Sequence, residues 1–71
     1  MRIQEYFVHF VNGDHIKVGE NYDLPFEKKL VGKYIAAKPD DTLTIGDDIM
    51  GFFYIPKSNI LFIATGERIF R

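Results

Sequence analysis

The feature that most constrains this chain is the stretch from Phe52 to Ile63, in which two apolar, β-prone runs flank the corner Pro-Lys-Ser-Asn at 56–59. Proline fixes its own backbone angle, and Ser and Asn favour tight local turns, so the corner predicts a tight turn or a single 3₁₀ turn. The predicted strands 49–55 and 60–64 carry apolar side chains at odd and even positions alike. Because side chains alternate between the two faces of a strand, both faces of these strands need cover.

The chain is too short to supply that cover easily. It has 71 residues and no cysteine, so we expect one small domain, 1–71, with neither disulfides nor a thiolate metal site. The second face of the sheet must be covered by barrel closure, by a helix from 24–37 or by another chain. We therefore expect self-association or a protein partner. The predicted interaction surface is Phe7, Val11, Ile35, Phe53 and Ile55.

The first strand is predicted at 3–11, where β-branched and aromatic residues dominate, and Asn12-Gly13-Asp14 marks a hairpin turn. A two-residue loop would mix polar and apolar side chains on each face. A three-residue loop at 11–13 pairs Val8 with Ile16 and separates the faces cleanly, so we favour it. The polar face then carries Glu5, His9, His15 and Lys17.

The segment 24–38 has two interpretations. Apolar residues at helical spacing predict a helix over 24–37, but Gly32 in its middle costs about 1 kcal/mol relative to alanine. The favoured interpretation is a short helix at 25–31 that ends at Gly32, followed by a strand at 33–38. Further turns are predicted at 38–41, 46–48 and 65–67, the last followed by a short strand or tail at 68–71.

Five short strands separated by turn signals predict a mainly β fold. The expected architecture is a small five-stranded antiparallel barrel or strongly bent sheet with one short helix around 25–31. The alternative is an α+β fold of ββαββ order, with a helix 24–37 packed on the sheet.

Two segments resemble parts of a known family. The string VHFVNGDHIKVG from Val8 to Gly19 resembles the first two strands of Sm-like RNA-binding barrels, and Tyr54 to Ile60 is similarly placed to the corner before their last strand. The resemblance covers about a third of the chain, and the segment 20–38 is longer than the family pattern. It implies a strongly bent five-stranded barrel and a ring oligomer with a pore for RNA.

The favoured hairpin register places His9 opposite His15, with Glu5 on the same face. Imidazole and carboxylate groups suit zinc, but a zinc site needs three or four ligands. Because two histidines are too few ligands, we predict no metal site and no cofactor. His9 and His15 are the candidate ligands in this arrangement.

The remaining polar residues predict no catalysis. The pairs Asp40-Asp41 and Asp47-Asp48 fall in predicted turns, where aspartate bonds its own backbone, so we interpret them as solvated turn residues. The hydroxyl side chains show no nucleophile–base arrangement, and the sequence has no glycine-rich phosphate loop. We therefore expect a non-catalytic interaction or assembly module.

Net charge and hydropathy limit the kinds of partner that we expect this chain to bind. Nine Lys and Arg against ten Asp and Glu give a net charge of −1, without the basic surplus of dedicated nucleic-acid binders. A local patch of Lys28, Lys29 and Lys33 offers contacts to single-stranded nucleic acid, and nucleic-acid binding by a small barrel is the alternative function. The chain has no apolar run of membrane-spanning length and no signal-peptide pattern, so we expect a cytoplasmic protein without membrane contact.

Overall fold

Strand β1 (Arg2–Phe10) lies at the centre of the larger of two sheets. It pairs antiparallel with β2 (His15–Asn21) and with β5 (Ile60–Phe70), in the order β2-β1-β5. Strands β3 (Thr42–Asp47) and β4 (Gly51–Pro56) form a second, two-stranded antiparallel sheet. The computed structural model describes residues 1–47 and 51–70. The mainly β class is confirmed.

Closure of the five strands into a barrel is not confirmed. Among the described residues, no strand pairing joins β2 to β3 or β4 to β5. Between β4 and β5 the chain makes a 3₁₀ turn at Lys57–Asn59, directly after Pro56, as the corner sequence predicts. The described strands therefore form two sheets, β2-β1-β5 and β3-β4.

The hairpin of β1 and β2 has the predicted three-residue loop. Val8 lies opposite Ile16 and His9 opposite His15, and Gly13 has a φ of 95°, a left-handed conformation that suits glycine. Asn12 Oδ1 accepts a hydrogen bond of 3.0 Å from the backbone N–H of Asp14 and so supports the turn. The observed pairing therefore confirms the predicted register.

The segment after β2 differs from the favoured prediction. A 3₁₀ turn at Phe26–Lys28 is followed by helix α1 (Leu30–Ala36), and the extended Lys29 separates them. The predicted strand at 33–38 is wrong, and so is an unbroken helix over 24–37. Gly32 does not end a helix but is buried inside α1, where an added Cβ would lie 2.8 Å from the carbonyl carbon of Phe26 and closer still to its oxygen.

Strand β5 is continuous where a turn at 65–67 was predicted. Its pairing with β1 shifts there, because Tyr6 lies opposite Thr65 whereas Gln4 lies opposite Arg68. This bulge lets the strand bend without ending. The side-chain amide Nε2 of Gln4 donates to the carbonyl of Gly66 at 3.1 Å and holds the bulged backbone.

The hydrophobic core lies between the inner faces of the two sheets and helix α1. Val8 at the centre of β1 is fully buried. The buried apolar residues are Tyr6, Val8, Leu30, Leu43, Ile45, Ile55 and Ile60.

Two features of the connections complete the fold. The predicted turn at 38–41 forms, because the N–H of Asp41 donates to the carbonyl of Lys38 at 3.0 Å. The predicted turn at 46–48, the start of the strand at 49 and residue 71 lie wholly or partly outside the described residues. Within the described part of the chain, no helix has both the length and the apolar character that membrane crossing requires.

Candidate functional site

Three consecutive aromatic side chains are exposed on strand β4, and we call them the β4 aromatic surface: Phe52, Phe53 and Tyr54. Phe52 and Phe53 are each 46% exposed and Tyr54 is 69% exposed. Tyr54 lies opposite Thr44 on the outward face, whereas Phe53 lies opposite the core residue Ile45. Aromatic side chains therefore reach solvent on both faces of one strand, which a folded monomer usually avoids.

An apolar groove of about 330 Å³ adjoins the β4 aromatic surface, and we call it the corner groove. It lies between the β1–β2 turn and the corner after β4. The backbone N–H of Val11 donates to the carbonyl of Asn59 at 3.0 Å and joins its two walls. Val11 itself is 60% exposed. The groove is lined by Phe10, Val11, Asn12, Tyr54, Ile55, Pro56 and Asn59.

Lys57 anchors the corner to residues at and after helix α1. Its Nζ donates to the carbonyl of Ala37 at 2.6 Å and lies 4.8 Å from the ring centroid of Tyr34. Its backbone N–H donates to the carbonyl of Asp41 at 2.9 Å. These bonds connect the corner to the end of helix α1 and to the turn that follows it, so the groove wall is held by several elements.

The other residues of the predicted interaction surface do not form one patch. Ile35 is 65% exposed on α1, away from the corner groove lining, and Phe7 is half-buried on the outer face of the larger sheet. Ile55 is only 9% exposed and belongs to the core, so its prediction as an exposed residue was wrong, although it also lines the corner groove. It lies opposite Leu43, which is also buried.

A row of stacked rings crosses the outer face of the larger sheet. The ring centroids of His9 and His15 are 5.3 Å apart, and those of His9 and Phe62 are 4.2 Å apart. The carboxylate of Glu5 is paired with Lys17 at 3.2 Å. Residues 1–47 and 51–70 contain no group of three or more His, Cys, Asp or Glu side chains that could hold a metal ion.

The three candidate lysines are not equivalent. Lys28 and Lys33 are exposed and line one shallow pocket beside Glu20. Lys29 instead lies over the ring of Tyr22, with Nζ 4.6 Å from the ring centroid.

Two arginines share the Tyr22 ring with Lys29. The guanidinium carbons of Arg2 and Arg68 lie 4.8 Å and 4.7 Å from the same ring centroid. We call Arg2, Tyr22, Lys29 and Arg68 the Tyr22 cluster. The arginines and the tyrosine were not predicted as site residues, because they come from β1, from β5 and from the turn after β2, and no local motif joins them.

Glu20 links the larger sheet to helix α1. Its carboxylate oxygens accept the N–H of Leu30 at 2.9 and 3.2 Å, at the start of α1. Burial, together with the charge and hydrogen bond of Glu20, raises the pKa of Tyr6 to about 12. These contacts join the larger sheet to α1.

The acidic pairs give no site in the described residues. Asp41 Oδ2 accepts the backbone N–H of Lys38 at 2.8 Å and closes its own turn. Asp48 lies outside the described residues, so the second pair is not described.

Comparison with protein-family models, with curated protein sequences and with solved structures finds no match to this chain.

Proposed function

We propose that this protein is a non-catalytic assembly module, and that a second copy of the chain packs on the β4 aromatic surface and the corner groove. The observation that carries the proposal is the exposure of three consecutive aromatic side chains on one strand. Exposed apolar patches of this kind are typical of protein–protein interaction sites. Aromatic side chains are also enriched at the centres of such interfaces.

The buried area required by a stable dimer supports the inclusion of the corner groove. An aromatic side chain buries about 150–250 Å², so the exposed parts of Phe52, Phe53 and Tyr54 supply roughly 300 Å² per copy. A standard interface buries about 800 Å² per partner. The β4 aromatic surface alone is too small, and the adjoining groove and Val11 extend it toward the required area.

Charge and backbone geometry favour a second copy as the occupant. The net charge of −1 means that two copies repel each other only weakly. Strand β4 pairs only with β3 in the described chain, so its other edge has backbone groups free for strand addition.

Sedimentation velocity over a range of micromolar concentrations tests the proposal. We expect the wild-type chain to form dimers or larger oligomers, and Tyr54→Glu to weaken association by at least about tenfold, since a buried unpaired carboxylate is costly. Phe26→Glu is the matched control, because Phe26 is also an exposed aromatic residue but does not line the corner groove. A monomeric wild-type chain, or an equal loss in the control, would refute the proposal.

The second candidate function is nucleic-acid binding through Lys28 and Lys33. Both lysines are exposed and line one pocket, and neither has an ion-pair partner in the described chain. Charge reversal at both positions should abolish binding of labelled single-stranded oligonucleotides at low salt. If the wild-type chain leaves such oligonucleotides unbound, this candidate is excluded.

A further inference from the structure

The Tyr22 cluster concentrates positive charge at the opposite end of the larger sheet from the corner groove. It joins the start of β1 to the ends of β2 and β5, whereas the groove adjoins the end of β1. Three cationic groups lie over one ring, at 4.6 to 4.8 Å from its centroid. Because a ring has two faces, at least two of these cations share a face.

Among the described residues, the basic groups of the Tyr22 cluster outnumber the acidic groups that pair with them. Asp23 forms an ion pair with Arg2. Lys29 and Arg68 have no ion-pair partner among the described residues. The electron-rich ring face attracts each cation but leaves their mutual repulsion in place. A bound anion would relieve that repulsion, and Arg2 keeps further N–H donors beyond the bond to Asp23.

We propose that the Tyr22 cluster is a binding site for a phosphate group. The planar guanidinium groups of Arg2 and Arg68 donate in the paired geometry that phosphate oxygens accept, and Lys29 adds a compact point charge. The cations already lie over the Tyr22 ring, which leaves little open ring face for a nucleobase to stack on. The site therefore recognises the phosphate itself, whether it is free or part of a polynucleotide backbone.

Nuclear magnetic resonance titration of the full chain with inorganic phosphate tests the site. Chloride and acetate at equal ionic strength are the reference anions. We expect saturable shifts of the arginine Nε–H and Tyr22 ring signals with phosphate only. Arg68→Gln should weaken binding about fivefold or more, through loss of a charge-assisted hydrogen bond. Lys38→Gln removes the same charge from an exposed turn outside the cluster and should leave binding unchanged.

A single-stranded oligothymidylate distinguishes the two sources of phosphate. If a backbone is recognised, the logarithm of affinity should fall with the logarithm of salt with a slope of roughly −2, and Arg68→Gln should make the slope shallower by about 0.7. If free phosphate is recognised, phosphate binds and the oligonucleotide shows no Arg68-dependent binding.

Three results would overturn the proposal: no saturable phosphate shift, equal shifts with acetate, or an equal loss in Lys38→Gln. Circular dichroism of each variant separates lost binding from lost folding. The Tyr54→Glu chain should bind phosphate normally, so the phosphate site and the assembly surface can be tested independently.

Discussion

Replacement of Gly32 with alanine tests the closest approach between the two helical segments. Gly32 lies buried in α1, where its backbone packs against the 3₁₀ turn at Phe26–Lys28. An added Cβ would lie 2.8 Å from the carbonyl carbon of Phe26 and 3.3 Å from the Cα of Glu27, and would overlap the Phe26 carbonyl oxygen. The obstacle is backbone, so a change of side-chain rotamer cannot remove it.

Two opposing terms set the size of the effect. Alanine favours the helix by about 1 kcal/mol over glycine. Overpacking of a close contact costs about 1–3 kcal/mol, and a backbone clash belongs at the upper end or beyond. We expect Gly32→Ala to lower the free energy of unfolding by about 1–2 kcal/mol. For a domain of this size, that corresponds to a fall in Tm of about 4–16 °C.

Urea denaturation monitored by circular dichroism measures the change, with Lys33→Ala as the matched control. Lys33 is the next residue of the same helix and is exposed, so its replacement should change stability by less than about 0.5 kcal/mol. If Gly32→Ala stabilises the chain by about the propensity gain, the close packing of α1 on the 3₁₀ turn is refuted.

Two further predictions concern the contact between Glu20 and the core. Glu20→Ala leaves the Leu30 N–H without its acceptor, and should lower the free energy of unfolding by about 1.5–3 kcal/mol in urea denaturation at neutral pH. An effect no larger than that of the exposed control Glu27→Ala would contradict it. Because the pKa of Tyr6 is raised to about 12, the unfolded chain loses this proton at lower pH than the folded chain does. The contribution of protonated Tyr6 to the free energy of unfolding is therefore complete below pH 10 and falls between pH 10 and 12. The free energy of unfolding of Tyr6→Phe should fall less steeply over that range than that of the wild-type chain. Equal slopes in both proteins would contradict this.

The N-terminal hairpin shows what local sequence can predict. The register of β1 with β2 followed from one requirement, that Tyr6, Val8 and Ile16 share a face. The pairing of the two histidines followed without further information. The corner at Pro56–Asn59 was predicted because proline and asparagine act on their own backbone, whatever the rest of the chain does.

Two errors in the secondary structure came from glycines whose role depends on how another segment packs against them. Gly32 was interpreted as the end of a helix, but it is required by the approach of Phe26. Gly66 was interpreted as part of a turn, but an added Cβ there would lie 2.9 Å from the Phe7 ring carbon Cε2 on the neighbouring strand. Both glycines allow close packing, and sequence pattern alone cannot distinguish that role from a turn.

The candidate sites were predicted only in part for the same reason. Val11 was expected on the surface because it alternates with the core residues of β1, and Phe53 was expected there together with Ile55, which shares its face. Tyr54 was missed because it alternates with Phe53 and Ile55 and was therefore assigned to the opposite face, whereas the structure places it opposite the exposed Thr44. The cationic partners of Tyr22 come from residues 2, 29 and 68, and only the pairing of β1 with both neighbours brings them together.

The central position of β1 has a consequence for how the chain acquires its structure. Its pairing with β2 is local and can form early, but its second neighbour is β5, and Arg2 lies opposite Phe70. During synthesis, β1 therefore keeps one unpaired edge until the residues of β5 have been made. Closure of that long loop has a large entropic cost before its contacts form, so folding should be limited by the arrival of β5.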